Sequence, residues 1–80
     1  MGDIMYYLII NKNNNLYYAN KSNDPQKSIE AHIRRANNPE SHRYNTPLHK
    51  ALREEGIDNF LFYKLNVLPK WVMHFKRYGP

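Results

Sequence analysis

The chain has no cysteine, which excludes a disulfide framework and any cysteine-ligated metal centre. A domain of 80 residues must then be held by packing alone. There is no apolar run near the roughly 18 residues of a membrane span, and no basic-then-apolar leader, so a soluble, cytoplasmic or intracellular protein without membrane contact is expected. The histidines at 32, 42, 49 and 74 lack any compact metal-ligand spacing, and no metal site is assigned to them. No internal repeat or low-complexity tract divides the chain, so residues 1–80 read as a single domain. Acidic residues run out before the end. From Met1 to Asn66 nine Lys/Arg stand against seven Asp/Glu, whereas Lys70, Lys76 and Arg77 face none. With a formal charge of +5, this asymmetry points to a polyanionic partner or to a solvated basic tail.

What is present is patterned. The run 5-MYYLII-10 is aromatic and β-branched enough for a buried strand, and 16-LYYA-19 can pair back across the turn 11-NKNNN-15. No Asn-Gly pair fixes the type of that turn, so its register is open by one residue. Asp24-Pro25 is a helix start, and the spacing of Ile29, His32, Ile33 and Ala36 predicts a helix over about 25–37 with His32 facing inward or at the rim. Thr46-Pro47 repeats the start signal for a short helix carrying Leu48, Ala51 and Leu52, which Gly56 ends. The run 59-NFLFYKLNVL-68 is apolar on both parities and is expected to be the central strand, closed by Pro69. Trp71, Val72, Phe75 and Tyr78 then predict a last basic amphipathic helix, with Trp71 and Phe75 in the core. The expected fold is α+β: a small three-stranded antiparallel sheet flanked by helices in the order β-β-α-α-β-α.

Within that order, 5-MYYLIINK-12, the polar turn and 17-YYA-19 resemble the two halves of the signature of the GIY-YIG nuclease family. The helix 25-PQKSIEAHIRRA-36 is similar to that family's second motif, and 48-LHKALREEGIDNF-60 to its short helix leading into the third strand. The resemblance covers residues 5 to 68. It implies a phosphodiester-cleaving site in which two tyrosines handle protons and water, an arginine grips the phosphate and a glutamate holds one Mg2+ or Mn2+. Carried over, Tyr7 and Tyr17 match the two tyrosines, with Tyr18 as the alternative if the turn is counted differently. His32 matches the helix histidine, and His42 or Asn45 a further polar residue in the next loop.

Four positions depart from the family pattern. Met5 and Ala19 stand in place of glycines, Ser28 in place of the arginine and Asn66 in place of the glutamate. Loss of one preorganised electrostatic group typically costs about 100- to 1,000-fold in rate, and a neutral asparagine is a poor anchor for a hard cation. The resemblance therefore implies a DNA-binding scaffold with a degenerate active site and no cofactor. Candidate phosphate contacts are Lys27, Arg34, Arg35, Arg43, Lys70, Lys76 and Arg77. Two other readings stand beside it: an active, divergent metal-dependent nuclease, and a small viral or mobile-element protein that binds and inhibits a host protein. Taken without the resemblance, the four hairpin tyrosines are cross-strand packing pairs and His32 a satisfied rim histidine.

Overall fold

A computed structural model describes residues 5–79. Strands β1 (Met5–Asn11), β2 (Tyr17–Ser22) and β3 (Phe60–Leu65) form one antiparallel sheet in the order β2-β1-β3, with helices α1 (Pro25–Ala36) and α2 (Pro47–Glu55) between β2 and β3 in sequence. The turn after β1 closes with Asn15 at φ 60, a conformation asparagine tolerates. Asp24 caps α1 by accepting from the Lys27 N–H at 3.2 Å. Gly56 ends α2 at φ 85. No helix among the described residues is long and apolar enough to cross a membrane.

The alternation of β1 divides the interior in two. Tyr7 and Ile9 face α1 and α2 and pack with Ile29, Ala36, Leu48, Leu52 and Phe60. Leu8 and Ile10 face the other way, onto Ala19 and Val72, with Tyr17, Tyr63, Leu65 and Phe75 around them. Each face buries only a few large side chains.

Two expectations about this frame are corrected. The middle strand is β1, not β3: residues 7–11 are buried throughout, while β3 has one neighbour and leaves Leu61 and Lys64 exposed. A run apolar on both parities marks a covered strand, and residues 6–10 carried that signal as well. The last element is not an α-helix. Lys70–His74 forms a 3₁₀ turn, after which the chain is extended. There the Tyr17 N–H donates to the Lys76 carbonyl at 3.0 Å and the Tyr78 N–H to the Tyr17 carbonyl at 2.7 Å.

The physical reason lies in the sheet. The outer edge of β2 leaves backbone groups without a strand partner, and the tail satisfies them in a way that a helix could not. The tail crosses that edge from one face to the other, so Val72 completes one core and Tyr78 the other. Trp71, expected inside, is 45% exposed, and Phe75 is half-buried.

Candidate functional site

The helix-covered face of the sheet holds an aromatic and imidazole cluster. Tyr7 projects from the middle of β1, and α1 places His32 over it because Ile29, His32 and Ala36 share its buried stripe. The Tyr7 hydroxyl is 2.8 Å from His32 Nε2. His32 Nδ1 is 2.9 Å from His49 Nε2, and His49 Nδ1 is hydrogen-bonded to Thr46 Oγ1. Thr46 Oγ1 lies 3.0 Å from the Arg43 carbonyl.

The direction of this chain follows from its last member. A carbonyl oxygen can only accept, so Thr46 donates to it and its own oxygen must accept from His49 Nδ1–H. His49 Nε2 then accepts from His32 Nδ1–H, and His32 Nε2 accepts from Tyr7 O–H. Every bond is satisfied with both imidazoles neutral. Their environment favours that state. Burial, then the neighbouring His49 and the charges of Arg35 and Arg43, lower the His32 pKa to about 4. Burial together with Arg35, Arg43 and Arg53 also lowers that of His49. Burial, with Tyr18 adding to it, pushes the Tyr7 phenol up to about 12, so Tyr7 is a proton donor and not a phenolate near neutral pH.

The cluster opens on a cavity of about 40 Å³ lined by Tyr18, His32, Arg43, Thr46, Leu48, His49 and Gly79. That volume takes a few waters or the oxygens of an anion. Tyr18 sits edge-on to His32, with ring centroids 5.1 Å apart. Arg77 lies over Tyr18 at 5.3 Å and donates to the Ala19 carbonyl at 2.9 Å. The pocket is thus flanked by Arg43 and Arg77, and the charge of Arg35 is felt at Tyr7 and both histidines.

Of the residues expected at the site, Tyr7 and His32 are brought together. Tyr17 is not: it pairs with Ile10 and packs on the opposite face against Val72 and Leu8. Tyr18, opposite Ile9, takes its place beside Tyr7, because a register shift of one residue exchanges the faces of a strand. Ser28 is hydrogen-bonded to Ser22 at 2.6 Å, and Asn66 is exposed just beyond β3; neither lines the cavity. His42 and Asn45 are exposed in the loop before α2. The predicted basic set is scattered. Arg43 lines the pocket, Arg77 lies over the Tyr18 ring, Arg35 acts on Tyr7 and the two histidines only through its charge, Lys27 and Arg34 stand exposed on α1, and Lys70 and Lys76 are exposed in the tail.

His49 and Thr46 were not singled out from the sequence. Their signal was the spacing Thr46-x-x-His49 across the start of α2, which puts a hydroxyl and an imidazole one turn apart.

A hard divalent cation needs oxygen ligands, normally carboxylates, and the lining offers phenol, imidazole, hydroxyl and guanidinium instead. This donor set does not fit Mg2+ or Mn2+. Among the described residues no group of three or more His, Cys, Asp or Glu could hold a metal. Glu55, a carboxylate close in sequence to β3, is held elsewhere by the amides of Asn11, Asn13 and Asn59. No known protein family, characterised protein or solved structure matches the chain.

Proposed function

We propose that this chain is a nucleic-acid-binding domain on a GIY-YIG-like scaffold whose phosphodiester cleavage is lost or strongly impaired. The observation that carries this reading is the pocket lined by Tyr18, His32, His49 and Arg43, with Arg77 over the Tyr18 ring: no carboxylate lines it. Guanidinium groups offer forked donors to phosphate oxygens. The Tyr7–His32–His49–Thr46 hydrogen bonds use up the phenol and imidazole protons, so the arginines are the donors left for phosphate, and the neutral rings supply no charge that would hold a metal. The DNA backbone is thereby held, and the second half of the family chemistry is missing.

The test is a titration of labelled duplex DNA over a salt series. Affinity should fall as salt rises, and Arg43→Ala should weaken binding and reduce the slope of log affinity against log salt by about one. Absence of binding at low salt would remove the reading.

One observation favours an active enzyme as the second reading: the directional chain fixes the Tyr7 hydroxyl by a hydrogen bond to His32 Nε2, which orients a phenol next to the pocket. Plasmid nicking with Mg2+ or Mn2+, abolished by chelator and by Tyr7→Phe, would put that reading first. No nicking at high protein concentration leaves the binding domain.

A further inference from the structure

The sheet face opposite the pocket carries a second feature. In the 3₁₀ turn Lys70–His74, Val72 points into the core. Residues three apart eclipse one another in such a turn, so Trp71 and His74 share one side. Trp71 is 45% exposed and is held edge-to-face between Tyr63 at 6.5 Å and Phe75 at 5.6 Å. It is an aromatic ring fixed by two others and still open to solvent. Lys70 and Lys76, next in sequence to Trp71 and Phe75, are exposed. Lys21, opposite Tyr6 in the register, projects from the same face of the sheet, and no acidic residue follows Asp58 in the sequence.

We infer that this face is a binding site for single-stranded nucleic acid, with Trp71 stacking on an unpaired base and Lys70 and Lys76 meeting the flanking phosphates. The charge decides the occupant. A second copy of the chain docked about a two-fold axis would set this lysine-rimmed patch against itself, placing like charges together. An anionic lipid surface supplies negative charge but no ring for Trp71 to stack on. A single strand supplies both: a π-face for each base and regularly spaced negative charge. Met73, 79% exposed, adds a flexible apolar contact at the margin. The site shares its class of partner with the pocket reading but none of its residues.

Trp71 is the only tryptophan in the chain, so its fluorescence reports the site directly. The experiment titrates the full chain with a thymidine oligonucleotide and with an abasic strand of equal length. Tryptophan emission and the anisotropy of a labelled strand are both read. The base-bearing strand should quench Trp71 and bind about 10-fold or more tighter than the abasic strand. Trp71→Ala should lose that advantage and Trp71→Phe keep most of it, while a Lys70→Glu, Lys76→Glu double variant should weaken binding and flatten the salt dependence with the fold intact by circular dichroism. Arg43→Ala, on the other face, should leave quenching in place, which separates this inference from the pocket reading. Equal affinity for the two strands, or no quenching by either, overturns it. So does loss of quenching in Arg43→Ala, a response of Trp71 only to phosphatidylglycerol vesicles, or burial of Trp71 in a dimer seen by sedimentation.

Discussion

The Tyr7 hydroxyl lies 2.8 Å from Nε2 of His32, and the hydrogen bonds behind His32 leave that nitrogen only the role of acceptor. Nitrogen-15 NMR should therefore find both His32 and His49 protonated at Nδ1 and bare at Nε2 at neutral pH. An Nε2–H form of either ring would reverse the direction of the chain.

The same burial makes stability depend on pH. His32 takes up a proton near pH 6.5 in the unfolded chain but only near pH 4 in the fold, so between these values the unfolded state binds more protons. Stability is then full above pH 6.5 and falls as pH drops toward 4, by about 3 kcal/mol at most. Urea midpoints measured across that window should shift accordingly, and His32→Gln should flatten the dependence. A midpoint constant from pH 7 to 4.5 in the parent protein would exclude His32 as the cause.

Thr46→Val keeps the shape of the side chain and removes the hydroxyl. It strands the His49 Nδ1–H, and the loss of an acceptor for a buried donor costs about 1–3 kcal/mol. Thermal unfolding measures the cost, and the His49 ring is then expected to sample both tautomers. If the melting temperature and the NMR tautomer both stay unchanged, Thr46 does not anchor the chain.

Much of this frame is legible in the amino-acid pattern, and the misses share a cause. Both helix starts are readable because Asp24-Pro25 and Thr46-Pro47 act locally, as do the apolar stripe of α1 and the stop at Gly56. The choice between Tyr17 and Tyr18 was open because it depends on the register of a turn that lacks an Asn-Gly pair, and one residue decides the face. The tail departs from its pattern for a different reason. Trp71, Phe75 and Tyr78 are spaced as on a helix, yet the unsatisfied backbone of Tyr17, distant in sequence, draws the segment out straight. The role of His49 has no local signature, because its partner His32 lies on another helix.

Asn11 is fully buried. Its amide nitrogen donates to the Tyr78 hydroxyl at 2.9 Å and to the Glu55 carboxylate at 3.2 Å, while its oxygen accepts from Asn59 at 2.8 Å. Asn11→Asp would set a second carboxylate beside Glu55 and remove two donated bonds, at a cost of roughly 3 kcal/mol or more. Because the repulsion needs both groups ionised, the variant should recover part of its stability on mild acidification relative to Asn11→Ala. Equal pH dependence of the two variants would dismiss the electrostatic account.

Gly56 adopts φ 85 and ψ 146, a backbone region that side chains disfavour, although an added Cβ would meet nothing within 4 Å. Gly56→Ala should therefore cost about 1–3 kcal/mol through the backbone alone. Chemical denaturation gives the value, and an unchanged midpoint would show that the junction to β3 can relax.

The crossing of the tail over the edge of β2 bears on how the molecule comes into being. Val72 seals one face and Tyr78 the other, so the earlier residues, emerging first from the ribosome, have both halves of their interior unfinished until this stretch arrives. Folding is then expected to wait for contacts between residues more than fifty positions apart, such as Asn11 and Tyr78. A chain arrested before residue 72 should resemble an unfolded one to a protease, and a chain extended past 78 should become resistant abruptly, with little gained in between.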